Sequence, residues 1–182
     1  MRLFYLLPLA LSSIALADDI KPEPGYQLLL NGKDLTGWKT LGSKGKPGES
    51  LEGKTEAFNG RFKVKDGELV IDPAVKGDVR IETAKEYAGA VTIKFEFFPD
   101  AKCNNDLFFR GQKFDLSKDN VKNIKPGEWN PIEIASKDGK IEFKVNGLVI
   151  RSATTPVENS TFGIRAEFGA IRIRKMQVKA GG

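Results

Sequence analysis

The sequence predicts an all-β protein in which two antiparallel sheets pack as a sandwich or jelly roll. Three observations support this fold class. Short apolar runs follow one another along the chain and are separated by turn sequences. The longest run alternates apolar and polar residues, which is the two-residue period of a half-buried strand. No stretch keeps a 3.6-residue apolar period over three turns, so the crossover helices that a parallel sheet needs are missing from the pattern.

The strands of the first half are separated by clear turn signals. The apolar run 26–30 ends at Asn31-Gly32, and residues 42–53 have the composition of a surface loop. A hairpin is predicted over 61–71, where the turn is Lys65-Asp66-Gly67. Residues 79–83 form a further strand, and one turn of helix fits residues 73–77.

The second half contains the strongest alternation and the strongest hairpin signal. In residues 90–98, Val91, Ile93 and Phe95 alternate with polar side chains. Asn146-Gly147 is the dipeptide that two-residue hairpin turns prefer. The remaining predicted strands are residues 107–110, 132–136, 141–145, 148–150, 161–166 and 170–178.

The chain is expected to divide into a leader and one domain. Residues 1–17 have the layout of a signal peptide, with Arg2, a short apolar run and a small-residue cleavage site that ends at Ala17. Residues 18–25 are predicted to be an extended leader, and residues 26–180 a single jelly-roll domain. The sequence therefore predicts an exported protein, periplasmic or extracellular, with no stable membrane anchor.

The composition excludes several kinds of chemistry. The 182 residues include no His, so neither a Ser-His-Asp triad nor a histidine-ligated zinc can form. Cys103 is the only cysteine, which rules out an internal disulfide. The net charge is +5, but the Lys and Arg residues are scattered among acidic residues and form no basic block. No nucleic-acid partner is therefore expected. We expect no cofactor and no metal, and the oligomeric state stays open.

Four short motifs resemble a family of bacterial secreted proteins. Residues Tyr26–Trp38 resemble its opening F-x-x-L-F-N-G-K-D-L-S-G-W, and Asn104–Arg110 resemble its N-S-G-I-F-F-R strand. Gly127–Asn130 and Val145–Gly147 resemble its G-E-W-N and L-N-G elements, in the same order. The family is the 3-keto-disaccharide hydrolase domain, also called 3-keto-glucoside lyase/hydratase. The resemblance implies a concanavalin-A-like jelly roll whose concave sheet binds carbohydrate and cleaves glycosides or 3-keto-glycosides.

The reaction that this resemblance implies needs a base and a cation. A ketone acidifies the neighbouring C–H group, a carboxylate removes that proton, and a cation stabilises the enolate oxygen. Glu96 or Glu167 is the expected base, with a pKa raised by partial burial. Arg110 is the expected cation. We therefore expect Glu96, Arg110, Arg165 and Glu167 to converge on one pocket.

Four residues are candidates for binding the substrate. The amides of Asn104 and Asn105 and the guanidinium of Arg165 can bond sugar hydroxyls. Phe98 is an aromatic residue on the polar face of a strand, where it can stack on a sugar ring. Each residue also has a structural interpretation, since the Asn pair can shape a turn and Arg165 with Glu167 can form a surface ion pair.

Two functions without catalysis stay open. One is a carbohydrate-binding module of the same fold, and the other is an interaction domain. Both are favoured by departures from the family pattern. Gly163–Gly169 replaces the family's G-L-Q-D-H-G, and Gly111–Leu116 replaces its Y-E-V-Q-I. The family's His and Gln positions are therefore not retained.

Overall fold

The structure, a computed structural model, describes residues 20–43 and 45–181. The predicted signal peptide at 1–17 lies outside the described residues. Fourteen strands are present in the described part of the chain, which contains no α-helix. The strands are β1 (Gln27–Leu28), β2 (Trp38–Thr40), β3 (Glu56–Ala57), β4 (Phe62–Lys65), β5 (Glu68–Ile71), β6 (Val79–Thr83), β7 (Val91–Pro99), β8 (Asn104–Phe109), β9 (Gln112–Asp115), β10 (Asn130–Lys137), β11 (Lys140–Val145), β12 (Leu148–Thr154), β13 (Gly163–Phe168) and β14 (Ile171–Ala180).

The strands form two antiparallel sheets. The large sheet has the order β12-β11-β10-β7-β14-β5-β4-β3, and β1 pairs with β14. The small sheet has the order β2-β6-β13-β8-β9. Every strand pair is antiparallel, so the predicted all-β sandwich is confirmed. Among the described residues, no helix has the length and apolar character needed to cross a bilayer.

Alternation along β7 shows why the two sheets stack. Val91, Ile93, Phe95 and Phe97 are buried, whereas the even-numbered residues between them are half-buried and face outward. One face of the strand therefore meets the other sheet, and the opposite face meets solvent. The predicted strand over 90–98 is confirmed almost to the residue.

Three tight turns join neighbouring strands, and the first and the last of them confirm the two predicted hairpins. Asp66-Gly67, Asp138-Gly139 and Asn146-Gly147 each join two paired strands, and both residues of each turn have positive φ. A turn with two positive φ angles matches the right-handed twist of the strands it joins. Asp, Asn and Gly tolerate that backbone better than other residues do, which is why the sequence signal is reliable here.

The structure corrects two local predictions. Asn104 and Asn105 belong to β8 and do not shape a turn before it, because β13 on one side and β9 on the other extend the ladder. Residues 73–77 form a turn without helix. In both places the neighbouring chain, and not local propensity, decides the backbone.

The core is organised around Phe162, which lies just before β13. Its ring is 6.3 Å from the rings of Trp38 and Phe109 of the small sheet and 6.3 Å from Phe95 of the large sheet. Trp38 is 1% exposed, and its indole N–H donates to the Leu29 carbonyl at 2.7 Å. Trp38 is therefore an anchor of the core.

We expect Trp38→Phe to lower the free energy of unfolding by about 2 kcal/mol, because it leaves the Leu29 carbonyl without its donor and opens space in the core. Urea denaturation measures the loss. Trp129→Phe is the control, since Trp129 is only half-buried on the outer face of the large sheet. Equal losses in the two variants would contradict this account of the core.

Candidate functional site

A row of four charged residues crosses the outer face of the small sheet. Arg80 of β6 is opposite Arg165 of β13, Arg165 is opposite Asp106 of β8, and Asp106 is opposite Asp115 of β9. Directly opposite side chains on one face of a sheet lie about 5 Å apart at Cβ. The row therefore places two cations beside two carboxylates, and the one attractive neighbour pair is Arg165 with Asp106.

Arg165 connects three carboxylates. Its Nε donates to Asp78 at 2.8 Å, Nη1 lies 2.9 Å from Asp106, and Nη2 lies 2.7 Å from Glu167. The planar guanidinium suits this role because its donors point in fixed directions. The predicted pair of Arg165 and Glu167 on one strand face is therefore present, and it belongs to a larger network.

A β-bulge displays the residues that follow Arg165. Arg165 is opposite Asp106, but Phe168 is opposite Asn104. The chain therefore advances three residues along β13 while it advances two along β8, which means that β13 contains one extra residue. Such an extra residue reverses which side chains point outward and bends the strand. Phe168 consequently leaves the core side and is 62% exposed.

Two buried polar side chains hold this bulge. The Asn105 side chain accepts a hydrogen bond from the Glu167 backbone N–H at 2.9 Å and donates to the Phe168 carbonyl at 3.0 Å. Arg61 donates to the Glu167 carbonyl at 2.9 Å and to the Asp72 carbonyl at 2.6 Å. Asn105 is fully buried and Arg61 is 2% exposed. Both groups therefore fix the backbone that carries Glu167 and Phe168.

Glu167 and Phe168 border a surface depression of about 420 Å³. Asp78 and Arg61 also line it, and the rest of the wall comes from Pro73, Val75, Lys76, Gly77 and Gly169. The depression thus combines an exposed aromatic ring, two carboxylates and the exposed ammonium of Lys76, with the buried Arg61 beneath them. Asn104 is half-buried and lies in register with Phe168, at the border of the same region.

Asp106 is the most perturbed carboxyl group of this face. Its side chain has no exposed area, and Arg165 Nη1 and Lys113 Nζ lie 2.9 and 3.3 Å from its oxygens. Burial first, and then the neighbouring Asp115, raise the pKa of Asp106 to about 6. Burial would raise the pKa of Asp115, but its ion pair with Lys113 at 2.7 Å and its interaction with Asp106 lower it. The two carboxyl groups therefore titrate as a pair.

The other end of the face is closed. The Arg80 guanidinium covers the Phe108 ring at 4.1 Å, and a Cβ on Gly163 would approach Arg80 Nε to 2.5 Å. Glu82 is bound by Lys39 at 3.3 Å and by Arg80 at 3.5 Å. Within residues 20–43 and 45–181, no group of three or more Cys, Asp and Glu side chains is arranged to hold a metal ion.

Glu96 and Phe98 lie on the outer face of the large sheet, on the opposite side of the molecule. Arg174 and Lys175 donate to the Glu96 carboxylate at 2.7 and 3.0 Å. Burial would raise the pKa of Glu96, but these two hydrogen bonds outweigh it and lower the pKa. The expectation of a raised pKa at Glu96 was wrong. Phe98 packs against Trp129 at 5.4 Å and lies under Arg172 at 4.4 Å, so its ring is already covered.

Arg110 ties loops together at one end of the sandwich. It follows β8 in a left-handed turn and is 3% exposed. Its guanidinium donates to the carbonyls of Gly89 at 2.9 Å and of Glu158. Arg110 does not lie on a strand face beside Phe108, because the strand has already ended at Phe109.

The structure thus brings together Asn104, Asn105, Arg165 and Glu167 but not Glu96, Phe98 and Arg110. The expected convergence of the four charged residues does not occur. Sequence reasoning missed Phe168, Asp78 and Arg61 as site residues. The available signal was the extra residue in Gly163–Gly169 relative to the six-residue G-L-Q-D-H-G, which the bulge accommodates.

We expect Arg110→Ala to lower the free energy of unfolding by about 2–3 kcal/mol, because it removes a buried guanidinium and its hydrogen bonds to the loop carbonyls of Gly89 and Glu158. Arg110→Lys should recover little, since an ammonium cannot reach the two loops at once. Chemical denaturation measures both. An Arg110→Ala protein of wild-type stability without activity would instead restore the catalytic interpretation.

The raised pKa of Asp106 predicts a pH-dependent stability difference for Asp106→Asn. Because the pKa of Asp106 is higher in the folded state, its protonated form stabilises the fold. This contribution is fully present below about pH 4 and is lost as the pH rises through about 6. The neutral Asn escapes that loss. Its free energy of unfolding, relative to wild type, should therefore rise by up to about 3 kcal/mol between pH 4 and 7.

Denaturation at several pH values measures this difference. Glu96→Gln is the control of opposite sign, because the pKa of Glu96 is lowered in the folded state. The ionised Glu96 therefore stabilises the fold at a pH above the pKa of the unfolded chain, and this stabilisation is lost in acid. A flat difference for Asp106→Asn would contradict the assignment.

Comparison with solved structures places this fold among known proteins. A candidate glycosyl hydrolase from Parabacteroides distasonis has a TM-score of 0.68 at 20% identity, covering 87% of this chain and 95% of its own. A second from the same organism has a TM-score of 0.57 at 17% identity, covering 79% and 99%. A Bacillus subtilis protein of unknown function with a galectin-like fold has a TM-score of 0.53 at 10% identity, covering 65% and 84%. These likenesses are of fold.

None of the curated proteins matches this chain. A family model does match, that of the 3-keto-alpha-glucoside-1,2-lyase-like domain, over residues 25–124. The matched segment is more than half of the chain and includes Arg61, Asp78, Asn105 and Asp106. The chain therefore belongs to the 3-keto-alpha-glucoside-1,2-lyase-like domain family, and its function is related to carbohydrate.

Proposed function

We propose that this protein binds a glycoside in the depression beside Phe168 and cleaves it with Glu167. One observation carries the proposal: the bulge exposes an aromatic ring directly beside a half-buried carboxylate in a depression of about 420 Å³. Sites for small ligands combine an apolar surface with a few polar groups that fix orientation. Membership of a carbohydrate-related family selects sugars among such ligands.

The residues of the depression suit a sugar. The 62% exposed Phe168 ring offers a flat apolar surface to the C–H face of a pyranose. Asp78 and Glu167 accept hydrogen bonds from hydroxyl groups, and Asn104 can both donate and accept. Arg61 and Asn105 act on the backbone beneath, so the ring and the carboxylate keep their separation when no ligand is present.

For a 3-keto-glycoside, Glu167 would carry the proton transfer. The C–H bond next to the ketone breaks, Glu167 takes the proton, and the electron pair forms an enolate. The glycosidic C–O bond then breaks, and the proton returns from Glu167 to the leaving oxygen. Water adds to the resulting unsaturated sugar. The Arg165 guanidinium, 2.7 Å from Glu167, orients that carboxylate and offers positive charge near the developing enolate.

A binding module without catalysis is the second candidate. The observation that favours it is the same ion pair, because Arg165 at 2.7 Å occupies a Glu167 oxygen that a proton transfer would need. We further propose that residues 1–17 direct export, so that the sugar would be met outside the cytoplasm.

Variants on the two outer faces test the site. With 3-keto-trehalose or 3-keto-sucrose, Phe168→Ala should weaken binding about tenfold, which corresponds to about 1.4 kcal/mol. Glu167→Gln should lower turnover at least about 100-fold, the contribution of a general base, while binding changes little. Calorimetry measures the binding, and a coupled assay measures the turnover.

Phe98→Ala and Glu96→Gln are the matched controls, since they remove an aromatic ring and a carboxylate from the opposite face. Saturable binding that Phe168→Ala weakens, without turnover, would identify the binding module. Loss of function in the controls, with Phe168 and Glu167 variants unchanged, would overturn the proposed site.

A further inference from the structure

Arg165 is shared between the charged row and the depression. Within the row its carboxylate is Asp106, and outside the row its carboxylates are Asp78 and Glu167. On its other side in the row it faces Arg80, which repels it. The position of the guanidinium therefore depends on how much negative charge Asp106 carries.

Neighbouring groups act on the charge of Asp106 in opposite directions. From β9, Lys113 attracts it at 3.3 Å and Asp115 lies directly opposite with like charge. From β13, Arg165 attracts it, with Glu167 two residues further along. Neither Asp106 oxygen accepts a hydrogen bond of normal geometry from the described residues, although both are buried. A fully buried carboxylate directly opposite a second carboxylate favours uptake of one proton by the pair.

We propose that Asp106 is a positioning residue that controls how tightly Arg165 binds Glu167, and that a proton on the Asp106–Asp115 pair turns the site down. This inference rests on the proposed function of Glu167. With the pair fully ionised, Arg165 is shared between the row and the depression. When the pair takes up a proton, the row loses its attraction for Arg165, and Asp78 and Glu167 draw the guanidinium toward the depression.

The consequence falls on Glu167. A tighter ion pair occupies the Glu167 oxygen that the substrate proton or a sugar hydroxyl would use. Turnover should therefore fall in mildly acidic solution at a pH at which an ordinary Asp is still ionised. The raised pKa of Asp106, about 6, agrees with that range.

The test observes Arg165 without any ligand. Its Nε–Hε signal in a ¹⁵N–¹H spectrum, assigned by its loss in Arg165→Lys, should move between pH 8 and 5 with a midpoint near 6. In Asp106→Asn the signal should stay at the acid position at every pH. In Asp115→Asn the midpoint should shift to lower pH, because the repelling neighbour is gone. The same transition in Asp106→Asn, or none in wild type, would overturn the inference.

Turnover of the 3-keto-glycoside over the same pH range separates this inference from the proposed function. Wild-type turnover should fall about tenfold from pH 7.5 to 5, Asp106→Asn should be low and flat, and Glu96→Gln should follow wild type. A moving Arg165 signal in a protein that neither binds nor cleaves the sugar would reject the function and keep the positioning. Turnover with a motionless Arg165 signal would reject the positioning and keep the function.

Discussion

The burial of one apolar face from each sheet is the constraint on which the rest of the structure depends. Phe162 lies at the centre of that contact, with Trp38 and Phe109 from one sheet and Phe95 from the other around it. Because side chains alternate along a strand, the same pairing that buries these rings turns the residues between them outward. The charged row on the small sheet is a direct result.

The site arises where that alternation is broken. A single extra residue in β13 lets Phe168 leave the core side, and the buried amide of Asn105 replaces the ladder hydrogen bonds that the bulge disrupts. A buried polar group costs stability unless it is fully bonded, and Asn105 bonds two backbone groups of the bulge. The buried Asn105 therefore fixes the backbone that carries the exposed Phe168. Arg61 has a similar role, since it lies beneath the depression and donates to the carbonyl of Glu167, whose side chain lies at the surface.

Electrostatics distinguishes the two outer faces of the sandwich. On the large sheet, Glu96 is surrounded by cations and its pKa is lowered, so it is held as a stable ion. On the small sheet, Asp106 is buried beside another carboxyl group and its pKa is raised to about 6. Ionisable groups with strongly shifted pKa values are more common at functional sites than at purely structural ones. This difference supports the small sheet as the working face.

The sequence by itself determined the fold class, the hairpins and the family, because strand alternation, turn dipeptides and short motifs are local properties of the chain. It also identified Asn104, Asn105, Arg165 and Glu167 as neighbours of a site. Only the tertiary structure decided that Glu96 and Phe98 lie on the other face, that Arg110 binds loop carbonyls, and that Phe168 is exposed. The reason is that these properties depend on which strands become neighbours and on the register between them, and a one-residue shift in register moves a side chain to the opposite face.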